Sequence, residues 1–194
     1  VNTAVESKKS FLHEMAEKYS SYQKLIRITG WIRRFTHIAR GKCQTQKETS
    51  LTVDELNETE NWIIKTLQAE NFSPEIGYLS KHIKGDKLQC PPLVKQLNLD
   101  LRRGKLVCVS RVTTSDLEDT AKCPILLPSR HPLTNLIIQK CHEEKQHVGI
   151  NSVVAALRQH WWIPQLRQMV KTVIKICLKW RKMKGKPYER PPIP

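Results

Sequence analysis

A helical period, broken by prolines and polar runs, constrains this chain more than any other feature. Leu25, Ile28, Trp31, Ile32, Phe35 and Ile38 recur at steps of three and four residues, the spacing that places side chains on one face of an α-helix. A strand would need alternation at every second residue, so this stretch is not a strand. The polar run GKCQTQKETS ends the pattern. Thr52-Val53-Asp54-Glu55 then has the form of a capping box, with Leu51 and Leu56 placed as its hydrophobic staple. The helix it opens is predicted to reach about Glu70, with Ile63, Ile64 and Leu67 facing inward. Ser73 and Pro74 open a third, shorter helix as cap and first helical residue.

From Cys90 the pattern changes. Pro91-Pro92 is a break, and KLVCVSRV and CPILLP read as two short strands, rich in β-branched residues and bounded by proline and polar clusters. Helices return at Pro132, where Leu133, Leu136, Ile137 and Cys141 share one side. Gly149 and Asn151 mark a turn and a cap for the helix SVVAALRQHW. Pro164 opens another, striped by Leu166, Met169, Val170, Val173, Ile174 and Cys177. Beyond Trp180 the chain reads as a basic, proline-rich tail without period. The expected fold class is mainly α with a small two-stranded β element.

Charge then narrows the partners. The 194 residues carry 33 Lys and Arg against 18 Asp and Glu, a formal net charge of +15, which points to a polyanion. No apolar run approaches the ~20 residues of a membrane-spanning helix, so no membrane association is expected. The chain begins at Val1 with no signal peptide after it, the form of a piece of a longer polyprotein acting inside the cell, in nucleus or cytoplasm. Its six cysteines are widely and irregularly spaced, which does not read as a disulfide framework. No nucleophile or paired carboxylate stands out, and no small-molecule substrate is implied.

Chemistry concentrates in HEEKQHVGINSVVAALRQHWWIPQLRQMVKTVIKICLKW. Structural zinc takes four nitrogen or sulfur ligands, usually as two close pairs, each presented by one local turn. His142 and His147 make a workable first pair, with the first near a helix end and the second on the loop that follows. A second pair would need cysteines at 177 and 180. Cys177 is present, but position 180 is Trp180, which cannot ligate. By spacing alone a buried cysteine on a helix stripe is more often core than ligand. Cys141 points about 100° from His142 on a helix and is a poor fourth ligand. His160 reads as a solvated surface residue.

These residues resemble the zinc-binding amino-terminal domain of retroviral and retrotransposon integrases. Such domains carry an His-His-Cys-Cys motif, a glycine just after the second histidine, and an aromatic-Trp-Ile-Pro element between the ligand pairs. Here they stand as His142, His147, HVG, HWWIP and Cys177. ILLPSRHPLTNLIIQKCHEEKQH is similar to the Bel/Pao class of long-terminal-repeat retrotransposons. YSSYQKLIRITGWIRRF, the LTVDEL helix and GKLVCVSRV resemble the segment linking ribonuclease H to integrase in those polyproteins, so the likeness runs from about Tyr19 onward. It implies a helical linking region over 1–89, a β extension over 90–130, a three-helix zinc-binding domain over 131–182 and a basic tail over 183–194. It also implies zinc on His142, His147 and Cys177. Integrases perform strand transfer with a separate domain whose carboxylates hold metal ions. Here no Asp follows Asp119, and only Glu143, Glu144 and Glu189 follow it, so a non-catalytic role is expected.

Residues 165–190 hold nine Lys or Arg against Glu189 alone. Lys171, Lys175 and Lys179 are each four apart and are predicted to share one face of the last helix, with Arg181, Lys182, Lys184 and Lys186 continuing the charge. Trp180 and Tyr188 lie among them, able to stack on bases. The expectation is weak, non-specific, salt-dependent DNA binding through phosphates, with self-association of the kind integrase assembly requires. The alternative is a metal-free, domesticated protein-interaction domain in which Trp180 fills the former metal site.

Overall fold

The computed structural model describes residues 10–41, 49–82, 90–109 and 123–185. The expected strand end at 110–112, Lys186, Tyr188 and the rest of the tail lie outside them. Helices α1 (Phe11–Lys18), α2 (Tyr22–Ala39), α3 (Val53–Asn71), α4 (Ser73–His82) and α5 (Pro92–Leu97) come first. Strands β1 (Leu99–Arg102), β2 (Lys105–Cys108) and β3 (Ile125–Leu126) follow. Helices α6 (Pro132–Glu144) and α7 (Ile150–Arg158), strand β4 (Trp161–Trp162), and helices α8 (Leu166–Ile176) and α9 (Leu178–Lys184) complete the order. No helix among the described residues is long and apolar enough to cross a membrane.

The capping box forms as read. Thr52 Oγ1 accepts from the Glu55 N–H, and Glu55 Oε2 accepts from the Thr52 N–H at 2.8 Å. The inward face of α3 carries Ile63, Ile64 and Leu67, with Thr59 and Gln68 also buried. α1, capped by Ser10, lies within the stretch expected to be helical, ahead of the first helix traced from its period.

α2 corrects the face read from its period. Tyr22, Leu25, Ile26, Thr29 and Gly30 are buried, whereas Trp31, Ile32 and Phe35 are exposed. The cause is α3. A Cβ on Gly30 would lie 3.0 Å from Leu51 Cδ1, so the absent side chain lets the start of α3 approach. Arg34 then clamps the two helices through Glu55, its Nε donating at 2.7 Å. That contact selects a small residue and a charged one, which hydropathy does not register.

Among the described residues the sheet has four strands in the order β1-β2-β3-β4, where two were expected. β1 and β2 form an antiparallel hairpin, turned by Arg103 and Gly104 at φ 51° and 73°, the left-handed pair a tight hairpin favours. β2 and β3 pair antiparallel at Val107 and Ile125, and β3 and β4 pair parallel, Ile125 with Trp161 and Leu126 with Trp162. The expected SVVAALRQHW helix ends at Arg158; Gln159 and His160 turn, and Trp161 enters β4. The Ile125 N–H donates to the His160 carbonyl and the Leu127 N–H to the Trp162 carbonyl, each at 2.9 Å.

Buried Gln68 binds helix to sheet. Its Nε2 donates to the Leu106 and Leu126 carbonyls at 2.9 and 2.7 Å, and its Oε1 accepts from the Leu106 N–H at 2.8 Å. The main core joins Leu12 of α1, Leu25 of α2 and Ile63 of α3 to Leu133 of α6, Val153 of α7 and Val170 of α8. A smaller cluster packs α4 and α5 on the sheet through Val94, Leu99, Leu106 and Leu126.

The C-terminal part holds four helices where three were expected. Pro164 is followed by Gln165 in the left-handed region (φ 56°), and α8 begins at Leu166. The striped helix ends at Ile176, because Cys177 takes an extended ψ of 113°. α9 then occupies ground expected to turn aperiodic after Trp180.

Candidate metal centre

Three elements deliver the three donors. His142 sits in the last turn of α6 and is 1% exposed. The chain then turns through Gln146 and His147 at φ 56° and 60°, and the His147 N–H donates to the His142 carbonyl at 2.9 Å. Two consecutive non-glycine residues in the left-handed region cost free energy, and such strain persists where surrounding structure enforces it. Its effect here is to fold the second imidazole back on the first, with ring centroids 4.9 Å apart. Cys177 comes from the break between α8 and α9, its Sγ 3.3 Å from His147 Nδ1.

The donor atoms of His142, His147 and Cys177 all lie within 4.8 Å of one another. Tetrahedral zinc with bonds of about 2.0–2.3 Å sets its ligands roughly 3.3–3.8 Å apart, so the His147–Cys177 separation already fits and small shifts would complete the set. His142 supplies a second test of fit. Both of its ring nitrogens are buried without a hydrogen-bond partner. Leaving such a group unsatisfied is costly, and a metal would satisfy one nitrogen. Burial first, and the neighbouring His147 second, hold its pKa below the ordinary histidine value, against Glu143 and the nearby Val148 backbone. That direction favours the neutral ring, the form that ligates.

The fourth side is walled rather than liganded. The Trp180 ring stands nearly perpendicular to that of His142, with centroids 6.3 Å apart, and its backbone N–H points to Cys177 Sγ at 3.5 Å. A Cβ on Gly149 would lie 3.6 Å from the Trp180 ring, so the glycine after the second histidine faces the aromatic wall. Cys141 is outside the group: it is half-buried against the main core, and burial, then Glu144, push its thiol up. His160 is exposed, as expected.

The cations fall into place differently from the prediction. Lys171 and Lys175 are exposed on α8, but the break at Cys177 moves Lys179 onto α9 with Arg181, Lys182 and Lys184. The three lysines thus do not share one helix face, because one helix has become two. The Lys184 ammonium lies over the Trp180 ring, 5.3 Å from its centroid. Sequence reasoning missed the strained Gln146–His147 turn, since neither residue is a typical left-handed former. It also missed His131, which caps α6 by accepting the Leu133 N–H at 3.1 Å.

Residues 130–186 match the family model described as the integrase zinc binding domain. The matched segment contains all three converging donors and Trp180. The chain matches no curated protein and no solved structure. The C-terminal part is thus similar to the integrase zinc binding domain over residues 130–186, and it brings two histidines and one cysteine together.

Proposed function

We propose that the chain is a non-catalytic binding part of a Bel/Pao-like retrotransposon integrase, with zinc held by His142, His147 and Cys177 and water in the remaining position. The observation that carries this reading is the buried, unpartnered His142 facing His147 and Cys177. Bound zinc would supply structure: it ties the end of α6 to the α8–α9 break, and so fixes the basic helix α9 against the core. An open coordination position is not in itself hydrolytic chemistry. Among the described residues no second group of His, Cys, Asp or Glu gathers for a metal. The upstream helices and sheet act on this reading as the segment linking ribonuclease H to integrase. Lys171, Lys175, Lys179, Arg181, Lys182, Lys184 and Lys186 contact DNA phosphates weakly and without sequence preference, and self-association serves integrase assembly.

Trp180 favours one alternative. Its ring already covers a side of the donor group, as a metal-free protein-interaction domain derived from the same ancestor would require. Metal analysis of the purified chain, with circular dichroism before and after chelation, separates the two. About one zinc per chain, with helix lost on chelation, supports the proposal, since metal binding and folding are coupled in such domains. No zinc, with helicity unchanged by chelator, transfers the assignment to the metal-free domain.

A further inference from the structure

β4 does more than extend the sheet. Alternation along a strand sends neighbouring side chains to opposite sides, and Trp161 packs on the main core while Trp162 points outward, 41% exposed. Trp162 lines a groove of about 470 Å³ together with Arg158, Arg167, Gln168 and Lys171. A second groove, of about 630 Å³, is lined by Gln168, Lys171, Lys175, Trp180, Arg181 and Lys184. The grooves border one another at Gln168 and Lys171 on α8, and each is lined by an aromatic ring, Trp162 in the first and Trp180 in the second. No Asp or Glu lines either groove.

We infer that these adjoining grooves bind single-stranded nucleic acid, with one base stacked on Trp162 and phosphates on Arg158, Arg167, Lys171 and Lys175. The inference rests on the nucleic-acid reading above and names its form and its second anchor. Stacking on an aromatic ring between cations is how single strands are held without sequence preference. A duplex keeps the faces of its bases covered, so it can use the cations but not Trp162. Parallel pairing with β3 fixes the backbone at Trp162, which lowers the entropy of presenting the ring.

The test is fluorescence anisotropy on the full chain, with an end-labelled oligothymidine and a labelled duplex of equal length at one salt concentration. Trp162→Leu is expected to weaken oligothymidine binding by roughly 5- to 150-fold while duplex affinity stays put, and Trp162→Phe to recover most of the loss. Equal losses on both probes, or no loss on either, overturn the inference but leave the proposed phosphate contacts standing. Polyglutamate competing as well as unlabelled oligothymidine also overturns it, by assigning the grooves to an acidic protein. Failure of the unaltered chain to bind either probe overturns both the inference and the nucleic-acid reading beneath it.

Discussion

Gln68 concentrates more structural consequence than any other polar side chain described. Three backbone groups of β2 and β3 have it as their partner, in a place water does not reach. Glutamine suits the task because its amide is both donor and acceptor, and the two edges it bridges offer both kinds of group. Replacing it by an apolar residue of similar size removes the hydrogen bonds it makes to the Leu106 N–H and to the Leu106 and Leu126 carbonyls. Gln68→Leu is expected to cost about 2–5 kcal/mol, seen as a lower urea midpoint with an unchanged denaturant slope. A midpoint equal to that of the unaltered chain would mean that the sheet does not depend on α3 for its hydrogen bonding.

Among elements, α2 divides most sharply between what its pattern promises and what it buries. Leu25 is fully buried and Phe35 is 71% exposed, although both belong to the same sequence stripe. Leu25→Ala should therefore cost about 2–5 kcal/mol, and Phe35→Ala should fall within about 0.5 kcal/mol of no change, by thermal or urea unfolding. Comparable losses at the two positions would restore the face drawn from the period. Other elements were legible because their signals are local. Thr52 and Glu55 announce α3, and Pro132 with Leu133, Leu136 and Ile137 announces α6. His142, His147 and Cys177 were also legible, since a ligand pair and a stripe position carry spacing that a reader can test. β4 was not, because two residues are too few for a period and its partner is distant in sequence. The α8–α9 break was hidden for another reason: the stripe runs through Cys177 without interruption, and no proline or glycine marks the turn.

For the whole molecule, acid should act through more than one group. His131 is buried at the start of α6 with its Nε2 unpartnered, and its ring lies 5.1 Å from that of His13. Burial, then the neighbouring His13, hold its pKa down at about 4 against an ordinary 6.5. A lowered folded-state value means that the unfolded chain takes up the proton first. The contribution is present above 6.5 and is lost as pH falls toward 4, in an amount of the order of 3 kcal/mol. Glu55 adds a second window. Its hydrogen bonds from Arg34, and then from Thr52, hold its carboxyl at about 2 against 4.5, so its share survives until pH falls below 4.5 and is gone near 2. His131→Asn keeps a helix-capping acceptor without the titration. Melting temperatures of that variant and of the unaltered chain should run parallel above pH 6.5 and converge or cross as pH falls to 4, any zinc effect being common to both. Parallel curves throughout would remove His131 from the account. The parallel pairing of β3 with β4 carries a different kind of consequence, one of inheritance. The segment that matches the integrase family begins at 130, after β3 has ended, yet its own strand is hydrogen-bonded to that earlier piece. A joint cut at residue 130 would separate β4 from the strand it pairs with, and with it the fixed geometry of the tryptophan pair.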